Sequence, residues 1–141
     1  MKIKTRQFGE VEIDDDKIIT IPLGIPGFRN YKKFVLMQKE ETVPFLLFQC
    51  LEEADLSFVV LDPVQCFPEY SIEEKDLKKL VEWVFDKEEI SVFVIVTIPN
   101  GIPEKMTANF MAPLVINNNR KQGLQLILEN STYSHQHQLL K

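Results

Sequence analysis

Residues 91–98 read SVFVIVTI, an apolar run rich in β-branched and aromatic side chains. A strand with one face in water alternates apolar and polar residues. A run without alternation requires burial on both faces, or one face on the core and the other under a covering element. Similar runs of strand length surround it: FVLM (34–37), FLLFQCL (45–51), SFVVL (57–61), APLVIN (112–117) and LQLILE (124–129), separated by Pro, Gly, Asn or Asp. Near the start, GEVEID (9–14) alternates, with Val11 and Ile13 on one face and Glu10, Glu12 and Asp14 on the other. After the acidic turn Asp14–Asp16, KIITI (17–21) is placed to pair back on it as a hairpin. The expectation is a mainly β fold, a small antiparallel β-barrel or sandwich-like domain of about eight to ten short strands.

One segment changes period. In SIEEKDLKKLVEWVFD (71–86), Leu77, Leu80, Val81 and Val84 fall on one stripe of a helix. Ser71 followed by Glu74 fits a capping box, and Glu73, Glu74 and Asp76 lie where the helix dipole favours negative charge. One amphipathic helix over about residues 72–86 is predicted, with Trp83 and Phe85 widening its core contact. The 141 residues suit a single domain able to bury a core without disulfides or a structural metal. The polar, aperiodic stretch from about residue 130, NSTYSHQHQLLK, is expected to be a loose tail.

The net charge is −5, and residues 69–89 carry −4 of it, with eight acids against four lysines. Binding to nucleic acid rests on Lys and Arg neutralising phosphates, so direct nucleic-acid binding is disfavoured and a charged partner should be basic. No apolar run is long enough to span a bilayer, and Met1 leads into KIKTRQFGEVEID rather than a basic-then-apolar signal, so a cytoplasmic protein with no membrane partner is expected. Cys50 and Cys66 stand alone in apolar contexts and suit buried free thiols.

No catalytic constellation assembles. The two histidines, His135 and His137, both lie in the polar tail, away from any nucleophile that would need a base, and no cluster of further ligands suggests a metal. The glycine-rich GIPGF (24–28) lacks the Lys and Ser or Thr of a phosphate loop. Its Pro26 and Gly27 instead fit a type II turn, a rigid corner from which Ile25 and Phe28 tuck back on the barrel end. The expectation is a binding protein with no catalytic, metal or cofactor site. A small barrel holding a flavin-type ligand in its mouth is the alternative, weakened by an arginine count of three, Arg6, Arg29 and Arg120.

Four segments in order, GEVEID with GIPGF, FVVLDP (58–63) leading to FPEY (67–70), TANFMAPLVIN (107–117), and GLQLIL (123–128) before Tyr133, together resemble the flagellar assembly factor FliW family. The resemblance implies a small β-barrel acting as a protein–protein switch. Its implied partners are CsrA, a small basic RNA-binding dimer that represses flagellin translation, and flagellin itself. Free FliW would sequester CsrA; accumulating flagellin would capture FliW and release CsrA to the message. For CsrA, the acids Glu69, Glu73, Glu74 and Asp76 are the expected contacts. For flagellin, an apolar patch at Phe110 and Met111 is expected, since an amphipathic terminus needs a hydrophobic receptor.

Overall fold

Phe34 and Phe48 stack face to face, with centroids 4.6 Å apart and planes within 4°, and both rings are fully buried. They belong to the interior of a barrel in the computed structural model, which describes residues 1–38, 40–77, 89–128 and 132–139, and only the backbone of residues 74 and 77. The described elements are β1 (Lys2–Thr5), β2 (Gly9–Glu12), β3 (Ile19–Thr20), β4 (Lys33–Gln38), β5 (Leu46–Cys50), β6 (Ser57–Leu61), α1 (Glu74–Leu77), β7 (Ile90–Thr97), β8 (Thr107–Ala108), β9 (Leu114–Asn117), β10 (Gln122–Gln125) and β11 (His137–Gln138). Strands pair in the order β7-β6-β5-β4-β3-β10-β9, and β9 returns to β7, closing a seven-stranded barrel. Every pairing in this ring is antiparallel except the single parallel register pair Gln122–Thr20 between β10 and β3. β8 and β11 extend from β7 outside the closed ring. The mainly β barrel expected from the strand spacing is the observed fold.

Alternation assigns each side chain to a core. In β4, Phe34 and Leu36 point into the barrel, while Val35 and Met37 point outward into a small cluster with Ile3 and Ile13. That cluster is capped by the β1–β2 hairpin. GEVEID therefore pairs with Lys2–Thr5, not with KIITI as its alternation suggested; Ile19 and Thr20 are drawn into the barrel against Phe34 and Lys33. Position alone separates the two outcomes, because Ile19 and Ile21 fill the interior next to Phe34 and Phe48.

SVFVIVTI has the two-sided burial that its composition demanded. Phe93 and Ile95 face the barrel interior, whereas Val92, Val94 and Val96 face a second core outside it with Leu61, Tyr70, Phe110 and Leu126. Phe110 is 1% exposed there. Of the predicted helix, Glu74–Leu77 is helical; residues 78–88, with the stripe positions Leu80, Val81 and Val84 and the rings of Trp83 and Phe85, lie outside the described residues. The Ser71 capping box gives way to another contact: α1 starts at Glu74, and the Ser71 amide donates to the Tyr133 hydroxyl at 3.1 Å. Cys50 is buried as expected, but Cys66 is exposed, because it falls in the turn that follows the short 3-10 helix Pro63–Gln65. Among the described residues no helix is long and apolar enough to cross a membrane.

GIPGF closes a tight turn. The Phe28 amide donates to the Ile25 carbonyl at 2.7 Å across Pro26 and Gly27, and Gly27 has φ +88°, which fits a type II turn. Ile25 is buried beside Phe34, while Phe28 stays 40% exposed with its ring edge-on to Phe58 at 5.3 Å. Gly24 is more constrained than Gly27: at φ +70° a Cβ there would sit 2.5 Å from the Arg29 Cα, whereas a Cβ on Gly27 meets nothing within 4 Å. Gly27→Ala should cost only the left-handed backbone penalty, about 1–2 kcal/mol. Gly24→Ala should cost clearly more, because backbone must move; denaturant melts of the two variants check the ranking.

Candidate functional site

β8 and β9 run in series along one edge of β7, and their registers do not match. Val96 and Thr97 oppose Ala108 and Thr107, and Phe93 opposes Leu114. Two β7 residues, Val94 and Ile95, therefore face five, Asn109–Pro113. With that excess of three, Asn109–Pro113 bulges out of the sheet, as bulges do where a side chain is re-aimed. The bulge is the NFMAP of TANFMAPLVIN, and it turns Phe110 out of the ladder and into the second core.

A bulge strands backbone groups that need partners. Asn109 Oδ1 accepts the Ala112 amide at 3.0 Å, and the Pro113 and Met111 carbonyls accept from the Leu126 and Leu128 amides. The Phe110 carbonyl accepts the Tyr70 hydroxyl at 2.7 Å, and the Phe110 amide donates to the Ser134 carbonyl at 3.0 Å. Two distant segments, FPEY and the C-terminal stretch, thus meet on one residue.

The rings follow the backbone. Phe110 packs against Tyr70 at 5.2 Å, Phe67 at 5.9 Å and His137 at 4.6 Å between centroids. Tyr133 lies 4.6 Å from Tyr70 and 5.9 Å from Phe67. The tail expected to hang loose is docked over residues 132–139: β11 pairs with β8, and the Leu139 amide donates to the Met106 carbonyl. The docking of Tyr133 and His137 was not foreseen, because the local pattern shows just two rings four apart in a polar run. His137 sits edge-on to two rings, a packing role rather than a ligand-holding one.

The expected contact residues separate by exposure. Glu69 and Glu73 are exposed on either side of Tyr70, and Glu73 is paired with Lys75 at 3.1 Å. Asp76 is 2% exposed, so its carboxylate is not on a docking surface. The Glu74 side chain lies outside what the structure describes. Phe110 is in the core and not on an open apolar patch, since the strap of residues 132–139 and Tyr70 enclose it; Met111 beside it is half-buried. The segment that carries Glu69 and Glu73 and the bulge that carries Phe110 and Met111 meet through the Tyr70–Phe110 contact.

The barrel interior is filled by side chains, and the apolar cavity of about 290 Å³ lies outside it, between the β1–β2 turn and the β7–β8 connection. Phe8, Met37, Phe45, Leu47, Ile98 and Met106 line it, with Gln7 and Thr42 as its polar members among the described residues.

Burial, and then the neighbouring Tyr133, push the Tyr70 phenol far above its usual range. The folded state keeps a proton that the unfolded chain releases near pH ~10, so this contribution is complete below that pH and declines as pH rises above it. Tyr70→Phe should cost about 1–2 kcal/mol at neutral pH by leaving the Phe110 carbonyl without its donor. It should also flatten the alkaline fall in stability relative to the parent, which urea melts across the alkaline range would measure.

A family model described as FliW protein matches residues 2–139. The flagellar assembly factor FliW of Thermosipho africanus is 40% identical over 141 residues, covering 99% of this chain and 95% of that one. That of Thermotoga neapolitana is 40% identical over 139 residues, covering 97% and 92%. A crystal structure of the flagellar assembly factor FliW superposes with a TM-score of 0.87 at 36% identity, covering 100% of this chain and 98% of that one. With sequence and fold matched end to end, this chain belongs to the FliW family of flagellar assembly factors.

Proposed function

We propose that this protein is a non-enzymatic, cytoplasmic partner-switching adaptor. It binds CsrA and antagonises its repression of flagellin translation, and it binds flagellin when the filament subunit accumulates unsecreted. The observation that carries this reading is the exposed pair Glu69 and Glu73 flanking Tyr70, on the rim of the aromatic cluster, within the segment that holds most of the chain's negative charge. A basic RNA-binding dimer is the complement of such a rim. Carboxylates docked near an RNA site also repel phosphate, over a range set by a Debye length of about 8 Å at physiological salt. Binding therefore antagonises RNA without this chain touching it. The apolar residues proposed for flagellin, Phe110 and Met111, belong to the adjoining bulge, where Phe110 is enclosed and Met111 half-buried.

Reversing both charges, Glu69→Lys with Glu73→Lys, should weaken CsrA binding about ten-fold or more at low salt, with the loss shrinking as salt screens the rim. Flagellin binding should stay within a factor of about two, since its apolar surface is untouched. Calorimetric titrations at two ionic strengths measure both arms. Unchanged CsrA affinity would remove these acids from the interface. A pull-down from a secretion-blocked strain that recovers neither flagellin nor CsrA would overturn the function itself.

A further inference from the structure

Residues 132–139 have the form of a bound peptide whose carrier is the chain itself. Their backbone adds to β8 as an edge strand through two register pairs, His137–Ala108 and Gln138–Thr107. Three further hydrogen bonds hold it: the Ser134 carbonyl accepts the Phe110 amide, the Leu139 amide donates to the Met106 carbonyl, and the Tyr133 hydroxyl accepts the Ser71 amide. Two rings four residues apart, Tyr133 and His137, seat against Phe67, Tyr70 and Phe110. Thr132, Ser134, His135, Gln136 and Gln138 are exposed, so the strap's anchors are those rings, the half-buried Leu139, the short ladder and these few hydrogen bonds.

The barrel does not depend on this strap. It closes through β7–β9, and among the described residues β11 pairs only with β8, at the outer end of the sheet. Segments with a short ladder and few buried contacts open locally at far lower cost than the global fold. Opening would uncover two things together: the hydrogen-bonding edge of β8 and the aromatic cleft of Phe67, Tyr70 and Phe110. An edge strand beside pockets for alternate side chains is the geometry of strand addition.

We propose that residues 132–139 are a displaceable plug, and that the cleft beneath them receives an extended segment of the captured protein, which adds to β8 and seats aromatic or large apolar side chains where Tyr133 and His137 sit. This deepens the capture reading above and rests on it. It accounts for a receptor residue, Phe110, that is closed in the free protein: the strap competes in cis for the site, so apparent affinity is set by the fraction of time the strap is open.

A disulfide across one register pair tests this. Ala108→Cys with His137→Cys, in a Cys66→Ser background, joins facing positions of an antiparallel pair, a spacing that a disulfide spans. Flagellin is the probe, with disulfide formation checked by mass spectrometry. The oxidised protein should bind at least about ten-fold more weakly than the same protein reduced, because the competent open state is locked out. Equal affinity of the two forms overturns the plug while leaving flagellin capture intact. A chain ending at residue 128 is the second variant: with its circular dichroism unchanged, it should bind at least as tightly as the full chain. A ten-fold or greater loss there would mark the strap as part of the receptor and overturn the plug. If the parent and the reduced protein also fail to bind flagellin, the capture reading falls and this inference with it.

Discussion

Five residues of one strand edge facing two of β7 is the constraint on which the outer half of this molecule depends. The bulge at Asn109–Pro113 cannot satisfy its own backbone, and a buried amide or carbonyl left unpaired costs about 1–3 kcal/mol. Three parts of the chain answer it: Asn109 locally, the extension of β10 through Leu126 and Leu128, and the pair of Tyr70 and Ser134 on Phe110. The second core assembles because those partners arrive with their rings.

That arrangement also explains why β7 carries no alternation. Its inner face completes the barrel around Phe34 and Phe48, and its outer face is covered by the bulge, the FPEY turn and the C-terminal strap. β4 shows the milder form of the same rule, with its outer face covered by the β1–β2 hairpin. The seven-stranded barrel thus has two of its faces roofed by short, irregular segments. The acidic rim at Glu69 and Glu73 and the aromatic cluster under residues 132–139 both belong to one such roof.

Much of the barrel was legible in the sequence. Val, Ile and Phe runs bounded by Pro, Gly and Asn located most of its strands, and the two-sided burial of SVFVIVTI followed from composition alone. GIPGF could be read as a corner, since Pro26 fixes its own φ and Gly27 admits the positive φ that a type II turn needs. The pairing of GEVEID was not legible: alternation fixes which face of a strand is apolar and leaves its partner open. Of the candidate site, Phe67, Tyr70 and Phe110 lay within segments already singled out. Their convergence did not show, because residues 40 apart are joined by a hydroxyl-to-carbonyl bond that no local pattern encodes.

The sequence by itself determined a set of apolar runs made for burial, a strand-rich barrel, an acid surplus concentrated in one segment, and the family to which the chain belongs. The first three are properties of composition and local period, which each stretch carries independently of the rest; the family rests on four segments in order along the whole chain. Only the tertiary structure decided that Asp76 and Phe110 are enclosed, that Glu69 and Glu73 remain at the surface, and that a polar tail docks as a strand over an aromatic cleft. Burial and pairing depend on what arrives from elsewhere in the chain. For Phe110 the deciding arrivals were Tyr70 and Ser134, drawn in by the hydrogen bonds that the bulge could not make for itself.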